Sequence, residues 1–129
     1  MSGLVIDTSV WISFFQGETL LSLEEALKDG HVILSPIVYS ELMSGEISGS
    51  SEKSLLEFLE ELDLHPTPPS HWLAVGRLRR FCGSKGIKIS VPDAHIAQCA
   101  LDLNASLYSF DKVFQKISRL TSLKIFVSF

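Results

Sequence analysis

The sequence predicts an α/β fold: a three-layer α/β/α sandwich with a central, mostly parallel sheet. Short apolar runs, such as LVI at 4–6 and HVIL at 31–34, alternate with helical patterns along the chain. That alternation is typical of a parallel sheet covered by helices. The 129 residues suit one domain with a buried core. No repeat, low-complexity tract or linker divides them, so we expect a single domain over residues 1–129.

The first half of the chain contains the clearest signals for where helices begin and end. Ser35 is expected to cap a helix that has Pro36 at its first position and ends at Gly45. Gly30 is expected just beyond the end of the preceding amphipathic helix. The elements predicted here are strand 4–6, helix 19–29, strand 31–34, the Pro36 helix, helix 51–62 and a short strand in LDLHP, 62–66.

The second half continues the alternation. A helix cannot run through Pro68 and Pro69 from upstream, so a new one is expected from PPSHW to about Cys82, with Ser70 as its cap. The remaining elements are a loop over GSKGIKISVP (83–92), helix 93–103, strand 105–110, helix 111–117 and strand 123–127.

Composition limits the class of protein. The chain is 46% hydrophobic and 20% charged, and its net charge of −4 excludes a protein that coats nucleic acid through overall positive charge. No apolar run approaches the roughly 18 residues of a membrane span, and no basic region precedes the first apolar stretch. We expect a soluble, cytoplasmic protein in which Cys82 and Cys99 are buried thiols and not a disulfide.

Four acids stand where a parallel sheet would bring them together. Asp7 directly follows the first strand, and Asp111 directly follows ASLYSF. Glu41 lies about six residues beyond the second strand, and Asp93 opens a helix after Pro92. In open parallel sheets, ligands bind beyond the carboxyl ends of the strands, where these acids are expected.

Each acid also has a simpler interpretation. Asp7 is compatible with a helix cap, Asp111 with a cap of KVFQKI, Asp93 with a charge at a helix N-terminus, and Glu41 with a solvated helix position. The combination favours a shared site, because four carboxylates from four segments repel one another unless a cation lies among them.

An all-oxygen site without His or Cys selects hard ions, so the sequence predicts Mg²⁺ or Mn²⁺. The chemistry that follows is metal-assisted hydrolysis of phosphodiesters. Thr8, Ser9 and Ser109 stand beside the acids and are expected either to support ligands or to serve as cap and turn hydroxyls.

Other polar and aromatic residues give weaker signals. Arg77, Arg79, Arg80, Lys85 and Lys88 form the densest basic stretch, which suits either contacts to a nucleic-acid backbone or a solvated helix face. The histidines, at 31, 65, 71 and 95, are scattered, and His95 is expected to be packed or exposed, not a ligand. Trp11 and Trp72 are expected to pack in a core or interface, in preference to stacking on bases.

The order of these motifs resembles the PIN-domain family, and most closely its VapC-type toxins. The matching segments are VIDTSVWI, SPIVYSELMSG, PDAHIAQCA and LYSFDKVFQKI, spread over about residues 3–127. The resemblance implies that Asp7, Glu41, Asp93 and Asp111 form an acidic metal site for Mg²⁺- or Mn²⁺-dependent RNA cleavage. It also implies a homodimer. Ser109 departs conservatively from a position where the family often has Thr.

Several functions are compatible with this reading. The leading expectation is the endoribonuclease toxin of a toxin–antitoxin pair, neutralised by an antitoxin protein that inserts a segment into the active-site groove. A housekeeping PIN nuclease and a non-catalytic RNA- or protein-binding scaffold are the alternatives. A phosphoacceptor receiver domain is set aside, because it needs adjacent acids after the first strand and a lysine after the last.

Overall fold

The sheet has five short strands. The structure is a computed structural model that describes residues 3–45 and 49–127, with the backbone alone at 49 and 50. Its strands are β1 (Leu4–Ile6), β2 (Val32–Leu34), β3 (Asp63–Leu64), β4 (Ser106–Tyr108) and β5 (Lys124–Ile125).

The strand order is β3-β2-β1-β4-β5, and all pairings between these strands are parallel. The chain moves outward from β1 through β2 to β3, then crosses back to place β4 on the other side of β1. This order confirms the predicted α/β fold. It puts the topological switch point between β1 and β4, and right-handed crossovers then place helices on both faces of the sheet.

Helices occupy most of the connections. They are α1 (Thr8–Phe15), α2 (Leu21–Lys28), α3 (Pro36–Met43), α4 (Gly49–Glu60), α5 (Pro69–Ser84), α6 (Val91–Asp102) and α7 (Val113–Leu120). No helix among the described residues is both long and apolar enough to cross a bilayer.

Two of the predicted helix boundaries are confirmed. Ser35 is the N-cap of α3, where its Oγ accepts the Val38 N–H at 3.2 Å and Pro36 opens the helix. Gly30 follows the C-cap of α2 with φ +72, a left-handed conformation that glycine adopts without strain.

Other boundaries differ from the prediction. Ser70 as a cap is wrong, because α5 already begins at Pro69 with Pro68 in the N-cap position. The predicted 83–92 loop is shorter, since α5 continues to Ser84 and α6 begins at Val91. The α6 helix starts early because Ser90 caps it, its Oγ accepting the Asp93 N–H at 3.2 Å, and a proline is tolerated in a first turn.

The core lies around the central strand. All three residues of β1 are buried, and so are the two cysteines, which are free thiols as predicted. Trp11 has no exposed surface and packs among the rings of Phe14, Phe15 and Phe58. The predicted packing role of Trp11 is therefore confirmed. This core fixes the carboxyl end of β1, from which the candidate site is built.

Candidate active site

Asp7 extends β1 by one residue toward the switch point. Its N–H donates to the Tyr108 carbonyl at 2.9 Å, which continues the pairing with β4. The residue is only 8% exposed, and its Oδ2 accepts the hydroxyls of Ser109 at 2.7 Å and Ser9 at 3.0 Å. Asp7 stands at the N-cap position of α1, but its side chain makes no capping hydrogen bond. The carboxylate is thus held for something other than the helix end.

Asp111 follows β4 and is tied to the same hydroxyl. Its N–H donates to Ser109 Oγ at 2.9 Å, so Ser109 joins the loop after β4 to Asp7. The Oδ1 of Asp111 accepts the Val113 N–H at 3.0 Å, although Lys112 and not Asp111 holds the N-cap position of α7. One oxygen of the carboxylate is used in this way.

Glu41 reaches the site from the last turn of α3. The residue is exposed, and its Oε1 accepts the Thr8 hydroxyl at 2.8 Å. Thr8 opens α1, immediately after Asp7. The two hydroxyl residues after Asp7 therefore both bind carboxylates of the site: Thr8 holds Glu41, and Ser9 holds Asp7.

Asp93 brings the fourth carboxylate from the first turn of α6. Burial raises its pKa above the usual value, with the hydrogen bond to Ser90 acting in the opposite direction. The negative charges of Asp111, Asp7 and Glu41 raise the pKa of Asp93 further. These charge interactions indicate that the other three predicted acids lie near Asp93, since only nearby charges perturb a carboxyl in this way.

No three of these four acids have ligand atoms that all lie within 4.8 Å of one another. Within the described ranges, the His, Cys, Asp or Glu set with three ligand atoms all within 4.8 Å of one another is His65, His71 and Cys99, which does not belong to this edge. The wider spacing of the acids suits Mg²⁺, which keeps several waters and binds proteins through few carboxylates. The negative charges of Asp111, Asp7 and Glu41 repel that of Asp93, and a cation bound among them would offset this repulsion.

The basic stretch lies on the outer side of α5 and in the loop that follows it. All five of its residues are exposed. Arg79 donates from Nε to the Ile89 carbonyl at 3.0 Å, and the Lys85 ammonium lies 5.9 Å from the Phe81 ring centroid. Arg80 and Lys88 line one shallow surface hollow together. The geometry is compatible with both predicted alternatives, a phosphate-binding face and a solvated helix face.

An apolar groove adjoins the site. Among its lining residues are Ile12 and Phe15 of α1, Leu42 of α3 and Phe58 of α4. Ile12 and Phe15 remain 46% and 42% exposed. The groove shares α1 with Thr8, and one of its lining residues, Leu42, follows Glu41 directly in the chain.

Sequence reasoning missed a second polar cluster. His65, His71 and His95, which look scattered in the sequence, are 3%, 2% and 0% exposed and meet near Asp102. His95 is thus packed, as expected, and Trp72 stacks on its ring at 4.9 Å between centroids. Only His95 and Asp102 share an element, α6, where a seven-residue spacing puts them on one face; His65 and His71 come from elsewhere in the chain, so spacing could not have indicated the cluster.

The family profile described as PIN domain matches residues 4–120. No curated protein sequence matches the chain significantly.

Three of the similar solved structures are complexes from bacteria. DNA-bound VapBC from Salmonella typhimurium has a TM-score of 0.81 at 17% identity, covering 98% of this chain and 98% of that one. VapBC2 from Rickettsia felis, bound to a promoter DNA fragment, gives 0.78 at 23% identity and covers 95% and 96%. VapBC-1 from nontypeable Haemophilus influenzae gives 0.76 at 22% identity, with the same coverage of 95% and 96%. At these identities the likeness establishes the fold.

Proposed function

The chain belongs to the PIN domain family, and from that premise we propose that it is an endoribonuclease that hydrolyses RNA with Mg²⁺ or Mn²⁺. The observation that carries the proposal is the set of four carboxylates at the switch point between β1 and β4. Their oxygens are the ligands that hard divalent ions prefer. The ligands we assign are Asp7, Glu41, Asp93 and Asp111.

The chain's own residues prepare this chemistry. Two hydroxyls donate to Asp7 Oδ2 and fix the direction of the carboxylate. The Thr8 hydroxyl directs Glu41, and Ser109 couples Asp7 to the Asp111 loop. When bound, a divalent ion supplies an activated water and stabilises charge on the phosphate oxygens.

RNA contacts are proposed for the basic stretch. Arg77, Arg80 and Lys88 are exposed, and we expect them to bind backbone phosphates without reading bases. Their replacement by Ala should weaken RNA binding and reduce its dependence on salt. Unchanged RNA affinity and salt dependence would favour the alternative, a solvated helix face.

An antitoxin partner is proposed for the apolar groove. The solved relatives are VapBC and other toxin–antitoxin complexes, which supports the same arrangement here. A partner segment that covers Ile12 and Phe15 would end beside Glu41, where a basic side chain could pair with the acids in place of the metal. With such a partner, the chain would be the toxin of the pair, and we propose the cytoplasm as its location.

A second copy of the chain is the other proposed partner. Trp72, Leu73 and Val91 are 40%, 55% and 44% exposed on α5 and at the start of α6, which favours burial against a like surface. Sedimentation should give a dimer for the wild type and a shift toward monomer for Leu73→Glu. A monomeric wild type at micromolar concentration would contradict the homodimer.

Cleavage of RNA tests the enzyme assignment. Wild type, Asp7→Asn and Asp93→Asn are incubated with RNA and Mg²⁺ or Mn²⁺, with Asp63→Asn as the control for the same change at an exposed acid on β3. Wild type and control should cut, both site variants should lose activity, and excess chelator should stop the reaction. Equal cleavage by all four proteins would reject the site.

Two alternatives are separated by other observations. A neighbouring gene for a DNA-binding antitoxin favours the toxin over a housekeeping PIN nuclease. Calorimetric titration with Mn²⁺ separates both nucleases from a non-catalytic scaffold, since Asp7→Asn should abolish binding only where the acids hold the ion.

A further inference from the structure

Behind the acidic edge, buried polar groups form a continuous hydrogen-bonded line. Asp102 Oδ2 lies 2.6 Å from His71 Nδ1, and His71 Nε2 lies 2.8 Å from His95 Nδ1. His95 Nε2 lies 2.6 Å from Ser35 Oγ. We refer to Asp102, His71, His95 and Ser35 as the histidine chain. It runs from the last turn of α6 to α5, returns to α6 at His95 and ends at the start of α3.

The partners at the Asp102 end determine which nitrogens carry protons. The Thr67 N–H donates to His65 Nδ1 at 2.9 Å, so the proton of His65 is on Nε2, which donates to Asp102 Oδ2 at 3.0 Å. His71 Nδ1 donates to the same carboxylate oxygen. Both rings therefore serve one acceptor, while the Gln98 amide occupies Oδ1 at 2.8 Å.

The other end follows from that assignment. Because His71 Nε2 must accept, His95 donates to it from Nδ1, and His95 Nε2 then accepts the Ser35 hydroxyl proton. Ser35 Oγ in turn accepts the Val38 N–H. Every ring nitrogen of the chain has a partner with all histidines neutral.

The two ends of the line matter for the acids. Ser35 starts α3, which carries Glu41, and His95 stands two residues after Asp93 on α6. The Ser35–His95 hydrogen bond thus joins the two helices that deliver these acids. Asp7 and Asp111 are already joined through Ser109, so the chain supplies the corresponding link for the other half of the site.

A zinc site is the competing interpretation of these groups. His65, His71 and Cys99 have ligand atoms within 4.8 Å of one another. Ligation by His65 Nε2 would move its proton to Nδ1, against the Thr67 N–H that donates there. The geometry favours a hydrogen-bonded line.

We propose that the histidine chain holds α3 against α6 and so positions Glu41 beside Asp93 for the metal-dependent reaction. Its members are positioning residues, because none of them touches the acids through a hydrogen bond of its own. The kinetic consequence rests on the proposed nuclease function. The positioning of α3 does not, and can be measured without activity.

Asp102 is the point at which to break the chain, because it lies at the far end of α6 from Asp93. Asp102→Ala removes the shared acceptor, whereas Asp102→Asn keeps an oxygen for both rings. Cys99→Ala is the matched buried control, since the thiol lies beside His95 but outside the chain. We expect Asp102→Ala to lower kcat on the order of 10-fold to 100-fold at unchanged KM for RNA. Asp102→Asn should restore most of it, and Cys99→Ala should match wild type.

Val38 provides the readout that needs no activity. Its N–H is in the first turn of α3, where helices lack internal acceptors, and Ser35 Oγ is its partner. Amide hydrogen exchange at Val38 should accelerate in Asp102→Ala and stay slow in Asp102→Asn and Cys99→Ala. If wild type neither cleaves RNA nor binds Mn²⁺, the proposed function fails, and Val38 exchange still decides the positioning role. Equal exchange in wild type and Asp102→Ala would overturn it.

Ring nitrogen NMR of the wild type covers the case in which Asp102→Ala does not fold. Long-range ¹H–¹⁵N spectra should show the proton on Nδ1 for His71 and His95 and on Nε2 for His65. A different tautomer at His71 or His95 would overturn the chain. So would displacement of the His65 and His71 ring protons by stoichiometric Zn²⁺ in wild type but not in Cys99→Ala.

Discussion

Mild acid should weaken the fold through its buried histidines. His95 is fully buried and faces His71, His65, Asp102 and Cys99. Burial is the main cause that lowers its pKa from 6.5 to about 4, and the neighbouring histidines act in the same direction against Asp102. Between pH 6.5 and pH 4, His95 is therefore protonated in the unfolded chain and neutral in the folded protein. Stability conferred by neutral His95 is present above pH 6.5 and is lost as pH falls toward 4.

The size of the effect follows from the two affinities. Each tenfold change in proton affinity is worth about 1.4 kcal/mol, so His95 alone accounts for a loss of about 2 kcal/mol at pH 5 and about 3 kcal/mol at pH 4. Typical domains have only about 5–15 kcal/mol in total. His65, whose pKa burial also lowers, adds to the loss. Burial raises the pKa of Asp102, but its hydrogen bonds to Gln98 and His71 outweigh that effect and lower it, so Asp102 adds to the loss of stability only as the pH approaches 3.8 and falls below it.

Urea unfolding measures this loss. With chelator present, Trp fluorescence and circular dichroism at pH 7 and pH 5 should show the midpoint falling by about 1 M, for an m-value of about 2 kcal/mol per M. His95→Gln should reduce that fall, because the replacement does not titrate, and His31→Gln is the control for losing one imidazole. An equal midpoint at both pH values in wild type, or an unreduced fall in His95→Gln, would refute the linkage.

Three further changes have expected outcomes. Ser109→Ala removes the hydroxyl shared by Asp7 and the Asp111 loop, so Mn²⁺ affinity by calorimetry should drop about 10-fold, with recovery in Ser109→Thr; unchanged affinity would mean that the hydroxyl does not support the site. Burial raises the pKa of Cys99 to about 12, so above pH 9 the thiol of the unfolded chain ionises first and the folded protein loses stability. Between pH 8 and pH 10 the melting temperature of Cys99→Ala should fall less than that of wild type, and equal falls would contradict this. Gly30→Ala meets no clash but must adopt φ +72, so it should lower stability by about 1 kcal/mol in thermal unfolding, and an unchanged melting temperature would refute the strain.

The elements that sequence reasoning predicted well are those set by local chemistry. β1 was expected at its observed residues, since a buried strand leaves a continuous apolar run. Ser35 and Gly30 carry their own conformational reasons. The meeting of Asp7 with Asp111 followed from one further rule, that parallel strands end at the same edge.

Other features depended on tertiary packing. Ser70 is not the cap, because α5 already begins at Pro69 with Pro68 as its N-cap. The predicted strands at 105–110 and 123–127 are longer than the observed β4 and β5, because a strand extends only as far as a neighbouring strand pairs with it. The histidine chain could not be predicted at all. It exists only where α3, α5 and α6 meet, and residue types at unrelated positions carry no record of that meeting.

The pairing of β1 with β4 has a consequence for synthesis. A ribosome that has released only the first hundred residues has exposed Asp7, but neither Ser109 nor the strand that must lie beside β1. The edge that carries the four acids is therefore completed late, after most of the chain has emerged. Truncated products that stop before residue 106 lack β4, Ser109 and Asp111, so they cannot form this edge.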